Sequence, residues 1–268
     1  MLPPELLGET IVQSHTVAEW PLSRTEKVVL ADGRSFAYKT TSPPVMEPEF
    51  YAAAGATRLL PAHHRVGNAL LVDWIDSPSL ADLPLSENEL LTHAARVVQQ
   101  IGELEPGLPV YLDVGTSAKW AAEAASTLVK LRQLTADGRF PASPGVDDIE
   151  SWILSAPVLG TVEAHSRLVH RDLKPAHVFP AGDGYRVIDW QFPAIAPAGV
   201  DLVGFLDEAG IDAFHHVDPV TYGIAYFLHL RWAVVAQHDL FPGAPVPFLR
   251  DWAAGGLRGV RRAAEAVV

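Results

Sequence analysis

The sequence predicts an α+β protein of two lobes, a small β-rich one over residues 1–75 and a larger, mainly helical one over residues 76–268. Three observations predict it. Runs of β-branched and aromatic residues around a tight-turn dipeptide concentrate before residue 75. Apolar residues at helical spacing dominate afterwards. The length of 268 residues, with 49% hydrophobic and 19% charged residues, suits one large domain or two lobes sharing a cleft, and excludes a disordered chain.

Taken in order, "EKVVLADGRSFAYKT" reads as two strands around Asp32-Gly33, a dipeptide that favours a hairpin turn. "EPEFYAAAGATRLL" reads as a helix with Pro48 in its first turn. "NALLVDWIDSPSL" reads as a buried strand leading to a hinge near residues 73–78. Ser86 and Glu89 have capping-box spacing, and Leu90, Leu91, Ala94, Val97, Val98, Ile101 and Leu104 then form one apolar helix face. A second helix is expected from Lys119 to Leu134, then a Gly/Pro-rich loop, "TADGRFPASPGVDD", then one helix from about Ile149 to His165. Helices are expected at roughly 201–210, 219–237 and 246–266, and no repeat or low-complexity segment interrupts them.

Composition removes several function classes. With no cysteine, disulfides, thiolate metal sites and cysteine nucleophiles are excluded, which favours a cytoplasmic location. A net charge of −12 argues against a nucleic-acid partner, since phosphates are neutralised by Lys and Arg. The start, "MLPPELLGET", has no basic region followed by an apolar run, so no signal peptide is expected. His229 and Arg231 interrupt the most apolar helix, so no membrane association is expected.

Three short motifs carry chemistry, and they occur in one order: "FAYK" ending at Lys39, "HRDLKPAH" around Asp172, and "VIDW" containing Asp189. Phosphoryl transfer from ATP requires a cation on the nucleotide phosphates, oxygen ligands for Mg²⁺, and a carboxylate that orients the attacking hydroxyl. A strand Lys, a His-Arg-Asp loop and a later Asp supply these parts. The turn "PAGDGY" between Asp172 and Asp189 suits a β-hairpin that brings both carboxylates to one end.

On these residues the chain resembles the aminoglycoside phosphotransferase and choline kinase-like branch of the bilobal protein-kinase-like fold. "LVHRDLKPAHVF" resembles that family's His-Gly-Asp loop, with Arg171 where Gly is usual, and "YRVIDWQFPAIAPAGVDL" resembles its metal-binding strand. From Trp190 to Val200 there is no Ser, Thr or Tyr, and no Ala-Pro-Glu follows. A peptide platform is therefore not expected, and a small hydroxylated acceptor is. The resemblance implies Asp172 as base or hydroxyl orienter, Lys174 toward the γ-phosphate, Lys39 on the α- and β-phosphates, and Asp189 on Mg²⁺. It implies Asp73, Trp74 and Ile75 as an adenine edge, and Asp201 as a brace of the catalytic loop.

Other positions are open on sequence. Lys39 has two candidate orienting acids, Glu47 and Glu49, of which Glu49 is favoured. The segment "EWPLSRTEKV", where a phosphate-covering loop is expected, contains no Gly, leaving Ser23, Arg24 and Thr25 to offer amides or a cation. His177 stands where Asn is usual: it binds metal through nitrogen, holds a metal-bound water, or only hydrogen-bonds the loop. Asp207, Glu208 and Asp212 suggest an amine-bearing acceptor, with solvated helix faces as the alternative, and the resemblance implies an aminoglycoside or other antibiotic as the first guess. The competing class is a pseudokinase-like nucleotide-binding module, supported by the Gly-less segment and His177.

Overall fold

Alternation of side chains across β-strands builds the first part of the chain. In the computed structural model, which describes residues 2–141, 146–182 and 184–267, six strands form one antiparallel sheet. These are β1 (Glu5–Leu6), β2 (Glu9–Trp20), β3 (Ser23–Leu30), β4 (Ser35–Thr41), β5 (His63–Val66) and β6 (Ala69–Asp73), in the order β1-β2-β3-β4-β6-β5. Val28 and Leu30, Phe36 and Tyr38, and Ala69 and Leu71 are pairs two residues apart, so each pair lies on one face, and with Leu6 they form a buried cluster. The Asp32-Gly33 turn joins β3 to β4 as expected, with Gly33 at φ 88° and the Asp32 carboxylate accepting from the Arg34 amide at 3.0 Å.

Between β2 and β3 there is no loop of any length. Trp20 pairs directly with Ser23, so Pro21 and Leu22 alone make the turn. The segment without Gly is therefore a tight, paired hairpin end rather than an open loop. Helix α1 (Glu47–Ala54) opens with Pro48 in its first turn and stops at Gly55, which has φ 58°. Helix α2 (Glu87–Gly102) carries the expected capping box at Ser86 and Glu89 and buries Ala94, Val97 and Ile101.

Contacts divide the chain into two compact units, residues 1–112 with 172–193 and residues 113–171 with 194–268. The first unit takes α2 and the late segment as well as the sheet, so the division does not follow a single cut at 75/76. The short strand β7 (Leu112–Asp113) straddles the two. The second unit holds α3 (Ser117–Ala136), α4 (Val146–Ile153), α5 (Ala156–His165) and β8 (Ser166–Val169). After the hairpin of β9 (Val178–Ala181) and β10 (Gly184–Val187) in the first unit, it resumes with β11 (Ala194–Pro197), antiparallel to β8. It ends with α6 (Gly199–Glu208), α7 (Pro219–Val235), a π-turn (Ala236–Leu240) and α8 (Pro247–Val267).

The helix expected over 149–165 is two helices, broken at Leu154–Ser155. Pro157 has no amide to continue the ladder and restricts the residue before it, so the chain restarts with Ser155 as N-cap. Helices α7 and α8 approach closely through glycine. A Cβ at Gly256 would lie 2.9 Å from the Leu230 backbone, and one at Gly259 2.1 Å from the Tyr226 ring. Residues 142–145 of the expected Gly/Pro loop, and Asp183 of the β9–β10 turn, lie outside the described residues.

Candidate active site

The site in the first unit is assembled from a strand, a helix and the segment that follows the His-Arg-Asp motif. Strand β4 is central in the sheet and presents Lys39, which is almost fully buried. The Glu47 carboxylate, from the first turn of α1, meets its ammonium at 2.6 Å. Asp189 contacts the same ammonium. Two carboxylates thus share one lysine in a desolvated setting.

Asp189 sits where it does because of its backbone. It has φ 71°, in the left-handed region that an Asp tolerates better than most residues. Gln191 Nε2 donates to Asp189 Oδ1 at 2.7 Å, and Gln191 O accepts from the Met46 amide at 2.9 Å, fastening the segment to the start of α1. Trp190 is fully buried, stacks on Phe50 of α1 with ring centroids 4.4 Å apart, and donates its indole N–H to Val187 O at 3.0 Å. Neither Gln191 nor the Trp190–Phe50 stack was predicted from sequence. The only signals are the adjacency of 190 and 191 to Asp189 and the position of Phe50 on the helix that carries Glu47.

Asp172 and His177 complete the group. His177 Nδ1 lies 2.9 Å from the backbone carbonyl of Asp172, so that nitrogen carries the proton and donates. Its Nε2 is 3.3 Å from Asp189 Oδ2. One donor atom from each of Asp172, His177 and Asp189 falls within 4.8 Å of the others. Lys174 Nζ is 3.5 Å from Asp172 Oδ2. Pro175 starts the single 3₁₀ turn that swings His177 back over Asp172.

Burial and charge compete at each group. Burial alone would lower Lys39, but Glu47 and Asp189 outweigh it and hold the ammonium form. Burial pushes Glu47 up to about 7, only partly offset by Lys39. Asp189 is held well below the usual carboxylate range, because Lys39 and His177 overcome its burial. Asp172 is raised by desolvation against the pull of His177 and Lys174, although its side chain is 50% exposed. His177 is lowered by burial, with Asp189 and Asp172 opposing. A carboxylate with an elevated pKa and an open face suits proton acceptance from a substrate hydroxyl.

The structure corrects one expectation. Glu47, not Glu49, pairs with Lys39: Glu47 is 2% exposed, whereas Glu49 is 47% exposed and faces Arg65 at 3.9 Å. Two residues along a helix turn a side chain through about 200°, so only one of the pair can face β4. Ser23 lies in the sheet at the end of the β2–β3 hairpin, paired with Trp20 and Thr41, on the strand next to that of Lys39. Asp73 and Trp74 use their amides inside the unit, donating to Ala62 O at 2.8 Å and Ser35 O at 3.0 Å. An adenine edge here would rest on carbonyl groups and the Ile75 amide.

In the second unit, Asp201 of α6 is 2% exposed and accepts from two consecutive amides, His170 N at 2.6 Å and Arg171 N at 2.8 Å. Arg171, at the position where the resembled family has Gly, has φ 73°. The substitution therefore keeps a left-handed backbone without the residue best suited to it. Of the acidic residues expected to receive an amine, Asp207 accepts from Tyr226 at 2.8 Å and Asp212 is held by both Arg262 nitrogens at 2.9 and 2.7 Å.

A family model described as "Phosphotransferase enzyme family" matches residues 41–238. Among solved structures, a thermostable mutant of aminoglycoside phosphotransferase APH(4)-Ia in apo form is 14% identical with a TM-score of 0.63, covering 97% of this chain and 96% of that one. A choline/ethanolamine kinase family protein from Mesorhizobium loti is 14% identical with a TM-score of 0.60, covering 94% and 88%. ADP-bound aminoglycoside phosphotransferase APH(2'')-Ib is 12% identical with a TM-score of 0.60, covering 95% of both chains. These likenesses show the protein-kinase-like α+β fold. No curated protein matches the sequence significantly. No described helix is long and apolar enough to cross a membrane.

Proposed function

The chain belongs to the phosphotransferase enzyme family, and from that premise we propose that it transfers the γ-phosphoryl group of ATP to a hydroxyl of a small molecule. One observation carries the reading. Lys39, Glu47, Asp172, His177 and Asp189, far apart in sequence, form one group in one compact unit.

The roles follow from charge and position. Lys39, braced by Glu47, binds the nucleotide phosphates as a point cation. Asp189, which contacts Lys39, would together with His177 hold a divalent ion. A divalent ion held there would neutralise charge on the phosphates as the phosphoryl group moves from donor to acceptor. Asp172 takes the proton of the acceptor hydroxyl as the new P–O bond forms and the bond to the β-phosphate oxygen breaks. Lys174, beside Asp172, faces the transferring group and limits charge build-up there.

The acceptor is proposed as a hydroxylated small molecule, with aminoglycosides and related aminated antibiotics the first candidates. Because Asp212 is matched by Arg262, neutral acceptors belong in the same screen. The test is incubation with MgATP and a panel of aminated and neutral polyols, following phosphate transfer by mass. Transfer to one acceptor, lost by at least about 10³-fold in Asp172→Ala, is the expected result. Tight nucleotide binding with no transfer and no slow hydrolysis across the panel would instead establish a non-catalytic module.

A further inference from the structure

We infer that the metal centre of this protein is built for a first-row transition-metal dication rather than for Mg²⁺, with His177 Nε2 as a direct ligand. The inference rests on reading the site as the place where the nucleotide's metal ion is held, and it extends that reading to the ion's identity.

The tautomer is the first argument. Nδ1 of His177 faces a backbone carbonyl at 2.9 Å, which can only accept, so this nitrogen holds the ring proton. In the neutral ring Nε2 is then a lone-pair donor, and it points at a carboxylate oxygen of Asp189 at 3.3 Å. That pairing is stabilised either by a proton on Nε2, which makes the contact an ion pair, or by a metal cation held between the two atoms. A carbonyl fixing the far ring nitrogen is also how proteins orient a metal-binding imidazole.

The spacing is the second argument. Two ligands each about 2.1 Å from one ion and about 100° apart are separated by about 3.2 Å. The His177–Asp189 separation of 3.3 Å matches that without movement of either residue. Asp172 brings a third donor within 4.8 Å, so the group is His plus two carboxylates.

The donor set is the third argument. Mg²⁺ is hard, dehydrates reluctantly and takes oxygen, whereas imidazole raises affinity along the series from Mn²⁺ upward. An amide oxygen at position 177 would leave an all-oxygen centre. Histidine there adds one nitrogen and shifts the preference. The His177 ring is buried and held in place by its bond to the Asp172 carbonyl, and its own amide bonds to Lys174 O at 2.9 Å. The nitrogen is therefore presented with little freedom to turn away.

Mn²⁺ is the probe, because its unpaired electrons report their ligands directly. Pulsed electron paramagnetic resonance of the full chain with Mn²⁺ and a non-hydrolysable ATP analogue should show ¹⁴N modulation that changes when histidine is ¹⁵N-labelled. His177→Asn and His177→Gln should both remove that modulation while Mn²⁺ remains bound. By calorimetry, each variant should lower the ratio of Mn²⁺ to Mg²⁺ affinity by at least about tenfold. Bound Mn²⁺ without histidine modulation in the wild-type chain would overturn the assignment, and needs no variant to be folded. In that case Asp172-dependent transfer with Mg²⁺ would leave the phosphotransferase reading intact. Failure of both ions to bind with nucleotide would sink the metal centre itself.

Discussion

Two aspartates, Asp201 buried and Asp189 partly buried, one in each compact unit, solve the problem of a desolvated carboxylate in opposite ways. Asp201 is surrounded by neutral donors, two backbone amides of consecutive residues. Asp189 takes one neutral donor, Gln191, and is otherwise surrounded by side chains that carry or exchange charge: Lys39, His177 and the carboxylate of Glu47 across the shared lysine. A carboxylate satisfied by amides is locked, since releasing it strands two backbone donors. A carboxylate satisfied by a cationic side chain can trade that cation for another. The first arrangement fixes a loop and the second is ready for a ligand.

The sharpest way to break this contrast is to alter both residues in parallel. Asp189→Asn should cost on the order of 10³-fold in transfer rate and change unfolding free energy by less than about 1 kcal/mol, because Glu47 still balances Lys39. Asp201→Ala should cost roughly 3 kcal/mol of stability by leaving two buried amides unpaired. Denaturant unfolding and single-turnover transfer on both variants decide the matter. If Asp189→Asn proves the more destabilising of the two, the contrast fails.

A smaller effect probes the surplus carboxylate at Lys39. Glu47 has its pKa raised to about 7 in the folded chain, above its ordinary value of 4.5. The fold therefore favours the protonated acid, and Glu47's contribution to stability is complete below about pH 4.5 and lost as pH rises through 7. In nucleotide-free protein, wild type should lose on the order of 2 kcal/mol relative to Glu47→Gln between pH 5 and pH 8. A difference that is flat or grows in wild type's favour over that range would mean that Lys39 keeps Glu47 ionised throughout.

The smallest effect concerns the backbone beside Asp201's amides. Arg171 is left-handed, so Arg171→Gly should be more stable than Arg171→Ala by about 1 kcal/mol, the reverse of the order found in ordinary backbone. Thermal unfolding of the two variants measures the gap directly. Equal stability would remove the argument from φ.

Much of this was legible in the sequence wherever chemistry demands a residue type in a fixed order. Lys39, Asp172 and Asp189 could be read because each belongs to a short motif whose local structure, a strand or a hairpin, is also readable. The Glu47–Glu49 choice could not be, because both satisfy the charge rule and only helix rotation separates them. Strand β2 escaped notice for another reason. Nearly all of its residues are exposed, so neither face imposes the alternation that marks a half-buried strand. The two-residue β2–β3 turn was hidden with it. Gln191 and the Trp190–Phe50 stack are matters of three-dimensional packing around a left-handed Asp, for which residue order carries little signal.

That exposed strand has a bearing on how the protein behaves in a crowded solution. Beyond Thr10, β2 has β3 on one side and, among the described residues, no strand on the other. An open edge of this length invites a second copy to add its own strand. The ladder is interrupted between Ile11 and Gln13 and again between Thr16 and Ala18. The uninterrupted run, Gln13 to Thr16, is therefore only four residues long. Each irregularity twists the strand and throws an incoming partner out of step before many bonds can form. Val12 and Val17, the exposed apolar residues of the strand, sit at those two interruptions. The open edge of β2 thus offers an incoming strand only short stretches of regular pairing.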